Sequence, residues 1–468
     1  MPELPEVETV KNLLNKVVVG KRILSVEVIR KANIDGDSDL FVSTITGHTF
    51  LNVSRKGKFL IFHLDDRLII ISHLRMEGKY YEYGEGETHS KYAKIIFHLD
   101  GNRKLVYDDS RGFGKMKLSN EDSYLMEKEI AKIGPEPFNY KDYKQLKNRC
   151  KNIKIPIKTA LLSQEFISGL GNIYVDETLY LSKIHPHTPA DLITLEQWEV
   201  IVNNASKVMN KAIQMGGSTI KSYHPGKGID GNFQNELQIY GKQGEICPHC
   251  GHRYRYIKTN GRGTTFCPGC QHKLGKPINL AITGKISSGK STVLDLFKKK
   301  KIFTISCDEI VKDLYQQKDV ANHIAKMFKL SFVNKVNRDE LRDYLISHPK
   351  DIKKLDNYVH GLVKDKINEI LKKNKEPLRV IEVPVLFASC MDRDFDSIIY
   401  VDMDENKRLD LQKNRDGIHA SNLKKINDGL SLDNDKLFAE FIILNNSSIK
   451  ELNNKVNEII NILKYRLS

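Results

Sequence analysis

Three patterns in the sequence predict a multidomain chain that combines α+β and α/β architecture. Short strands broken by turns fill residues 21–118 and predict an N-terminal antiparallel β-sandwich. Two C-x2-C pairs between residues 247 and 270 predict a metal site. A phosphate-loop motif at residue 284 then opens alternating apolar strands and helices, which predict a doubly wound domain with a parallel sheet.

The chain begins with MPELPE, followed by helical spacing over residues 4–15. Removal of Met1 before a small residue would leave Pro2 with a free secondary amine, and an α-amino group titrates near ~7.7–8. With Glu3 beside it, such an amine suits attack on an aldehydic or acetal carbon and formation of a Schiff base. The alternative is a chance Met-Pro-Glu start, so these residues do not decide the question alone.

The β-sandwich prediction depends on alternating strands and on the turns between them. Turns at residues 65–66 and 100–101 predict two hairpins. The predicted strands are Ile23–Ile29, Phe59–Leu64, Leu68–Ser72, Ala93–Leu99 and Lys104–Tyr107.

Two loops of this region carry unusual charge, SRKGKF at residues 54–59 and DDSRGFG at residues 108–114. A phenylalanine beside an arginine on a glycine turn is one way in which proteins wedge into a base stack. A solvated hairpin end is the alternative for each loop.

Residues 134–137, GPEP, form a predicted linker to a helical region. Its predicted helices are Lys158–Gln164, Ile173–Leu181 and Glu196–Gln214, the last with a capping box at Thr194. Glycines before Asn172 would let the backbone approach a phosphate at a helix N-terminus. An ordinary tight turn between helices is the alternative.

The two cysteine pairs predict one structural Zn²⁺ ion per chain, because four thiolates on a short hairpin form a closed tetrahedral site. A redox pair and replacement of one ligand by His249 are the alternatives. The predicted ligands are Cys247, Cys250, Cys267 and Cys270.

The motif G-x-x-x-x-G-K-S at residues 284–291 follows a predicted strand, Ile278–Thr283, and precedes a predicted helix. Its backbone N–H groups would hold the phosphates of a nucleotide, with Lys290 on the β/γ-phosphates and Ser291 on Mg²⁺. Further predicted strands are Phe303–Ser306, Val380–Val383, Ile398–Val401 and Phe441–Leu444.

The net charge of +15 and the pI of 9.2 indicate a polyanionic partner, nucleic acid first and acidic lipid second. A coding bias toward lysine is the alternative. No apolar run reaches the ~18–20 residues of a membrane span. The acidic start also lacks the positive charge of a signal peptide, so we expect a cytoplasmic protein without membrane contact.

Residues 1–273 resemble formamidopyrimidine-DNA glycosylase, which excises 8-oxoguanine and ring-opened purines from double-stranded DNA. The matching segments are MPELPEVET, RKGKFL, DDSRGFG, GLGNIYVDE, FQNELQIYG and the two cysteine pairs. The resemblance implies a helix-two-turn-helix domain, and it implies that Pro2 forms the imine at C1′ while Glu3 protonates the sugar. It places Lys58 near the reacting sugar, and β,δ-elimination would then cut the strand.

The same resemblance implies DNA-binding roles for five further residues. Three of them would fill the gap left by the flipped base, with Arg111 facing the orphaned cytosine, and two would grip phosphates. These residues are Met76, Arg111 and Phe113 in the gap, and Asn172 and Arg262 on the phosphates. The family often has two arginines before that phenylalanine, whereas here the second is Gly112.

Residues 278–468 resemble dephospho-CoA kinase, which transfers a phosphoryl group from ATP to the 3′-hydroxyl of dephospho-CoA. The resemblance implies that Asp308 accepts the hydroxyl proton and that Arg408 and Arg415 clamp the phosphoryl group. The implied ATP-binding residues are Gly284, Gly289, Lys290, Ser291, Thr292, Arg408 and Arg415.

Four positions depart from the kinase pattern, so a phosphate-loop domain that has become an inactive partner stays an alternative. They are Lys285, Ser287, Ser306 and Ala388. A phosphate-loop kinase for another nucleoside or nucleotide is a second alternative.

The predicted organisation is a monomer with a catalytic sandwich (1–134), a helix-two-turn-helix domain (135–235), a four-cysteine zinc finger (236–273) and a kinase domain (278–468). A silent lesion binder and an endonuclease VIII-like enzyme for oxidised pyrimidines are the alternatives for the first part. The loop at residues 111–113 and the loop after Gly217 favour purine lesions.

Overall fold

The computed structural model describes residues 2–218, 231–416 and 435–467, without the side chains of residues 412–416. Its contacts divide the chain into two compact units. The first unit comprises residues 1–242 and 259–264, and the second comprises residues 243–258 and 265–468. The loop after Gly217 that was predicted to favour purine lesions lies outside the described residues from position 219. The four predicted domain boundaries stay a prediction.

The first unit contains two antiparallel four-stranded sheets, as the alternating pattern predicts. One sheet has the order β1-β6-β7-β5 and the other β2-β3-β4-β8, and both predicted hairpins, β3–β4 and β6–β7, are present. The strands are β1 (Ile23–Val28), β2 (Phe50–Lys56), β3 (Phe59–Leu64), β4 (Leu68–His73), β5 (Lys79–Tyr83), β6 (Ala93–Leu99), β7 (Arg103–Asp108) and β8 (Lys115–Asn120).

Helices in the first unit cover the sandwich and form a second, helical core. The capping box at Thr194 is present, and Trp198, the one tryptophan of the chain, is buried in this core. The helices are α1 (Leu4–Val18), α2 (Ser38–Ile45), α3 (Lys128–Ala131), α4 (Tyr143–Cys150), α5 (Ile157–Leu162), α6 (Asn172–Leu181) and α7 (Leu195–Gln214). The α5 helix ends two residues before its predicted end, since Gln164 has a left-handed φ of 67°.

The second unit contains a five-stranded sheet of order β12-β13-β11-β14-β15, in which every pair is parallel. Apolar cores lie on both faces of this sheet, which confirms the doubly wound prediction. The strands are β11 (Ile278–Gly284), β12 (Phe303–Ser306), β13 (Leu378–Glu382), β14 (Ser397–Asp402) and β15 (Phe441–Leu444). The helices are α8 (Lys290–Lys299), α9 (Cys307–Leu314), α10 (Lys318–Phe328), α11 (Arg338–Ser347), α12 (Ile352–Lys373), α13 (Glu405–Asp416) and α14 (Ile449–Leu467).

A two-stranded hairpin, β9 (Arg255–Thr259) and β10 (Arg262–Phe266), carries the cysteine pairs on its flanks. Its tip, residues 259–264, belongs to the first unit and its base to the second. Over the described residues, no helix has the length and apolar character needed to cross a membrane.

Candidate active sites

The segment before α1 is held at the N-terminus of α6. Pro2 is buried, and the Glu3 carboxylate accepts hydrogen bonds from the backbone N–H groups of Gly171 at 2.6 Å and Ile173 at 3.0 Å. A third N–H, of Tyr174, donates to it at 3.3 Å. A side chain at Gly171 would place its Cβ 2.2 Å from the Glu3 carboxyl carbon, so only glycine allows this approach.

Lys58 lies against the same turn. Its Nζ donates to the carbonyl of Leu170 at 2.7 Å, and the side chain is almost fully buried. Burial lowers the pKa of Lys58, an effect that the charges of Glu3 and Glu6 oppose. Since Leu170 precedes Gly171, one turn of the helical core contacts both Lys58 and Glu3.

A cavity of about 270 Å³ opens beside Lys58, and its lining contains four cationic side chains and the two carboxylates of Glu129 and Glu165. Burial, with the charges of Arg75 and Lys58, lowers the pKa of His73 to about 3, so this ring is neutral. Sequence analysis did not identify His73 or Arg75. The lining residues include Lys58, His73, Arg75, Lys128, Lys132 and Gln164.

Glu6, one helical turn after the start of the chain, is a second carboxylate of the N-terminal segment. It accepts from the Glu3 N–H at 2.8 Å, the Tyr174 hydroxyl at 2.6 Å and the Ser218 N–H at 2.8 Å. Burial raises the pKa of Glu6 to about 7, and the Glu3 charge adds to this effect. A buried carboxyl that titrates near neutrality therefore lies under the N-terminal segment.

We expect the stability of the first unit to fall with rising pH through Glu6. The folded protein keeps the Glu6 carboxyl protonated, whereas the unfolded chain releases this proton above pH 4.5. The contribution of the protonated carboxyl to the free energy of unfolding is therefore complete below pH 4.5 and is lost as the pH rises through about 7. A shift of this size corresponds to roughly 3 kcal/mol. Urea unfolding followed by Trp198 fluorescence should therefore give wild type a steeper decrease in the free energy of unfolding between about pH 5 and about pH 7 than Glu6→Gln. Equal pH slopes in the two proteins would contradict the assignment.

The residues implied to fill the base gap lie on two loops at one end of paired strands. The turn after β4 carries Met76, the loop before β8 carries Arg111 and Phe113, and β4 pairs with β8 through His73 and Lys115. Phe113 is 53% exposed, and the Arg111 guanidinium lies 5.1 Å from its ring centroid. An exposed aromatic ring backed by a cation is suited to enter a base stack.

The position of the family's second arginine is filled from another part of the chain. Arg30 Nη1 donates to the Gly112 carbonyl at 2.9 Å, and a Cβ at Gly112 would come within 1.4 Å of that nitrogen. Gly112 also has a left-handed φ of 66°. The guanidinium of Arg30 therefore supports the loop of Phe113 from a distance of 82 residues in sequence.

Removal of the Arg30 side chain is expected to weaken binding to lesion DNA by about tenfold, because a loop hydrogen bond and a cation are lost. The double variant Arg30→Ala, Gly112→Arg removes the clash and should recover part of the affinity, limited by the strain of a left-handed arginine. Fluorescence anisotropy with lesion and undamaged duplexes measures the DNA affinity of the single and the double variant. Unchanged affinity of Arg30→Ala would refute a role of this side chain.

The residues implied to grip phosphates meet at the hairpin tip within the first unit. Asn172 Nδ2 and Lys158 Nζ both donate to the Gly263 carbonyl, at 3.0 and 2.9 Å. Lys158 is fully buried and pairs with Asp176 at 2.7 Å. Arg262, next to Gly263, keeps an exposed side chain beside the start of α6.

The four predicted ligand cysteines lie together, with every pair of sulfur atoms within 4.8 Å. Burial and the contacts with neighbouring thiols raise the pKa of Cys270 to about 11 and raise that of Cys267 as well. Four thiolates are therefore stable together only around a cation. The donor set fits Zn²⁺, which these cysteines would hold as a closed structural site.

The phosphate loop joins β11 to α8 as predicted. Lys290 Nζ folds back onto the carbonyls of Gly284 at 3.1 Å and Lys285 at 2.9 Å. A Cβ at Gly284 would come within 2.2 Å of the Val401 carbonyl, so the loop lies tightly on the sheet. Ser287, at a family glycine, adopts a left-handed φ of 63°, which is a strained conformation for serine.

The loop borders a cavity of about 530 Å³ that also contains Asp308 and Glu382. Glu382 ends β13 and accepts from the hydroxyls of Ser291 at 2.8 Å and Ser306 at 3.3 Å. Sequence analysis did not assign Glu382, although a carboxylate at the carboxyl end of a central parallel strand is a signal for a site. The lining residues are Ile286, Ser287, Gly289, Lys290, Ser291, Thr292, Asp308, Glu382, Pro384 and Leu411.

Arg408 and Arg415 both lie on α13, and only Arg408 has a described side chain. Arg408 is buried, and its Nη1 donates to the Ile286 carbonyl of the phosphate loop at 3.4 Å. The structure thus brings Arg408 into contact with the phosphate loop, whereas the predicted roles of Arg408 and Arg415 toward the phosphoryl group stay predictions.

Comparison with known proteins assigns the first part of the chain. Residues 1–116, 133–224 and 244–273 match the family models for the formamidopyrimidine-DNA glycosylase N-terminal domain, its H2TH domain and the zinc finger found in FPG and IleRS. The formamidopyrimidine-DNA glycosylase of Streptococcus pneumoniae serotype 4 is 40% identical over 274 residues, which are 58% of this chain and 100% of the relative. The chain belongs to the formamidopyrimidine-DNA glycosylase family. A Mycoplasma mobile glycosylase is also 40% identical and is covered over 99% of its length.

Solved structures of this glycosylase family include DNA complexes. A complex between Lactococcus lactis Fpg and an abasic site containing DNA has a TM-score of 0.55 and 40% identity. The match covers 58% of this chain and 100% of that one. A mutant of the same protein with a Fapy-dG containing DNA matches equally well.

Residues 278–451 match the family model for dephospho-CoA kinase. This glycosylase is therefore fused to a dephospho-CoA kinase domain, as the sequence analysis predicts.

Proposed function

We propose that the first part of the chain is a DNA glycosylase and AP lyase for oxidised purines. Contact of Glu3 and Lys58 with one turn of the helical core is the observation that supports it best. The Pro2 amine, freed of Met1, would attack C1′ of the flipped nucleotide and displace the damaged base. Glu3 would then protonate O4′, so that the C1′–O4′ bond breaks and the nitrogen forms an iminium. β-Elimination would remove a C2′ proton and the 3′ phosphate, and δ-elimination would remove a C4′ proton and the 5′ phosphate.

Borohydride trapping tests this chemistry, because reduction of the iminium leaves protein covalently bound to DNA. We expect an adduct with an 8-oxoguanine duplex, and mass spectrometry should map it to Pro2. A protein that binds this duplex without forming an adduct would instead be the silent lesion binder.

The preference for purines over oxidised pyrimidines depends on the wedge loops. Exposed Phe113 beside Arg111 supports extrusion opposite cytosine, since intercalated side chains offset the cost of unstacking. Parallel excision assays on 8-oxoguanine, formamidopyrimidine and oxidised pyrimidine duplexes test this preference for purine lesions. Faster excision of pyrimidines would favour the endonuclease VIII-like alternative.

We propose that the C-terminal domain transfers the γ-phosphoryl group of ATP to the 3′-hydroxyl of dephospho-CoA. The cavity that combines Lys290, Ser291, Asp308 and Glu382 supports this proposal. Ser291 and Glu382 offer the oxygen ligands that Mg²⁺ prefers, and Asp308 would accept the hydroxyl proton.

Coupled ADP release with dephospho-CoA, compared with a panel of nucleosides and nucleotides, tests the substrate. We expect turnover with dephospho-CoA, while turnover with a nucleoside alone would establish the other kinase class. No ADP release with any acceptor would indicate an inactive domain.

The seven cysteines are all free of disulfide bonds, which supports the proposed cytoplasmic location. We also propose a monomer, which light scattering with and without DNA would test.

A further inference from the structure

The base of the zinc-finger hairpin, residues 243–258 and 265–277, shares the second unit with the kinase domain. We call these residues the finger base. Arg255, at the start of β9, is only 1% exposed. Its guanidinium donates to the carbonyls of Asp392 at 2.5 Å, Phe395 at 2.8 Å and Asp396 at 3.4 Å. An arginine of the finger base thus donates hydrogen bonds to the backbone carbonyls of the segment that leads into β14 of the kinase domain.

Two buried carboxylates of the kinase domain face the finger base. Asp396 accepts from Lys273 Nζ at 2.8 Å, and both side chains are largely buried. Glu440 lies 2.8 Å from His272 Nδ1 and also contacts Ser397 and Arg466. Removing the partner of a buried carboxylate leaves its charge uncompensated, which destabilises the surrounding fold. The finger base therefore supplies partners to two carboxylates, one directly before β14 and one directly before β15.

Backbone hydrogen bonds continue this interface. The Arg253 N–H donates to the Leu437 carbonyl at 2.7 Å, just before β15. The Gly275 N–H donates to the Arg466 carbonyl on α14, also at 2.7 Å. Three segments of the kinase domain, at residues 392–396, 437–440 and 466, are thus tied to the finger base.

We propose that the finger base is a structural part of the kinase domain, and that metal binding by the four cysteines stabilises β14 and β15. The first cysteine pair precedes Arg253 and Arg255, and the second precedes His272 and Lys273. A structural zinc ion supplies folding free energy to the segments that carry its ligands. Without it, the side chains of Arg255, His272 and Lys273 and the Arg253 N–H lose their fixed positions, and the carboxylates of the kinase domain lose their partners.

The effect is expected to extend toward the phosphate loop through the sheet. Strand β14 pairs with β11, whose last residue, Gly284, lies opposite Val401. Strand β12 lies at the far edge of the sheet from β15 and serves as an internal reference. The proposal thus gives the finger a role separate from DNA binding.

Hydrogen exchange of the full chain, zinc-loaded and metal-free, tests the proposal without any substitution. We expect exchange to accelerate by about tenfold or more in peptides that cover residues 392–402 and 437–444 after zinc is removed. A smaller change is expected in β12. Acceleration that spreads through the whole sheet also supports the proposal, whereas unchanged exchange in β14 and β15 overturns it.

Zinc affinity provides a second test, since the coupling free energy between two sites is reciprocal. Arg255→Met should bind zinc about tenfold more weakly than wild type in equilibrium competition with a colorimetric chelator. The matched control is Arg393→Ala, which removes an exposed arginine that lies 5.2 Å from the Tyr256 ring in the same interface. Wild-type zinc affinity in folded Arg255→Met would overturn the proposal. If that variant does not fold, the exchange experiment decides, and neither measurement depends on DNA cleavage or phosphoryl transfer.

Discussion

A chain that keeps an extra residue before Pro2 is expected to bind lesion DNA and to leave it uncut. Acylation turns the proline nitrogen into an amide without a nucleophilic lone pair, so the iminium cannot form. We expect strand cleavage and borohydride trapping to fall by at least about a thousandfold. The side chains proposed to bind DNA, Arg111, Asn172 and Arg262, are untouched, so affinity for the duplex should stay near that of the free form.

The matched control is the same fusion protein processed back to Pro2, which should regain trapping and cleavage. Both forms must be compared by mass spectrometry, because retention of Met1 alone would block the reaction. Undiminished cutting by the extended chain would mean that another amine forms the intermediate. Lys58 would then be the first candidate, since burial already lowers its pKa.

Replacement of Lys290 by alanine is expected to abolish phosphoryl transfer and to leave DNA cleavage intact. Lys290 Nζ lies on the phosphate-loop carbonyls beside Asp308 and Glu382, where the charge of transferring phosphates would develop. Loss of such a preorganised donor costs at least about a hundredfold in rate. Glu382→Gln should also reduce turnover, because it weakens the proposed Mg²⁺ site next to Ser291.

Lys298→Ala is the control, since Lys298 is exposed on the same helix and should tolerate the change in both assays. ADP release and 8-oxoguanine cleavage are measured on one preparation of each variant. A fall of both activities in Lys290→Ala would contradict the separation of the two reactions.

Most of the fold follows from periodicity that the sequence displays directly. Strands such as Phe59–Leu64 and Phe441–Leu444 have the predicted bounds, because apolar residues and flanking turns mark both ends. The phosphate loop and the cysteine pairs could also be predicted from the sequence, since the spacing of their residues alone determines their geometry. The end of α5 could not be predicted, because the left-handed backbone of Gln164 leaves no signal in the sequence.

The parts of the sites that could not be predicted depend on contacts between distant residues. Glu6 reads as an ordinary residue of an amphipathic helix until Tyr174 and Ser218 close over it. Glu382 reads as the end of a strand until Ser291 contacts it, and Arg30 reads as a surface cation until it meets Gly112. Without the fold, no local pattern distinguishes these side chains from their neighbours.

The contacts of Lys273 and His272 limit how this chain can be dissected in the laboratory. A kinase fragment starting at residue 278 would retain Asp396 and Glu440 but would lack both of these side chains and Arg255. Recombinant truncations at this apparent boundary should therefore yield poorly soluble protein. A fragment that begins near residue 243 keeps the intact interface and is the better choice for crystallisation or calorimetry.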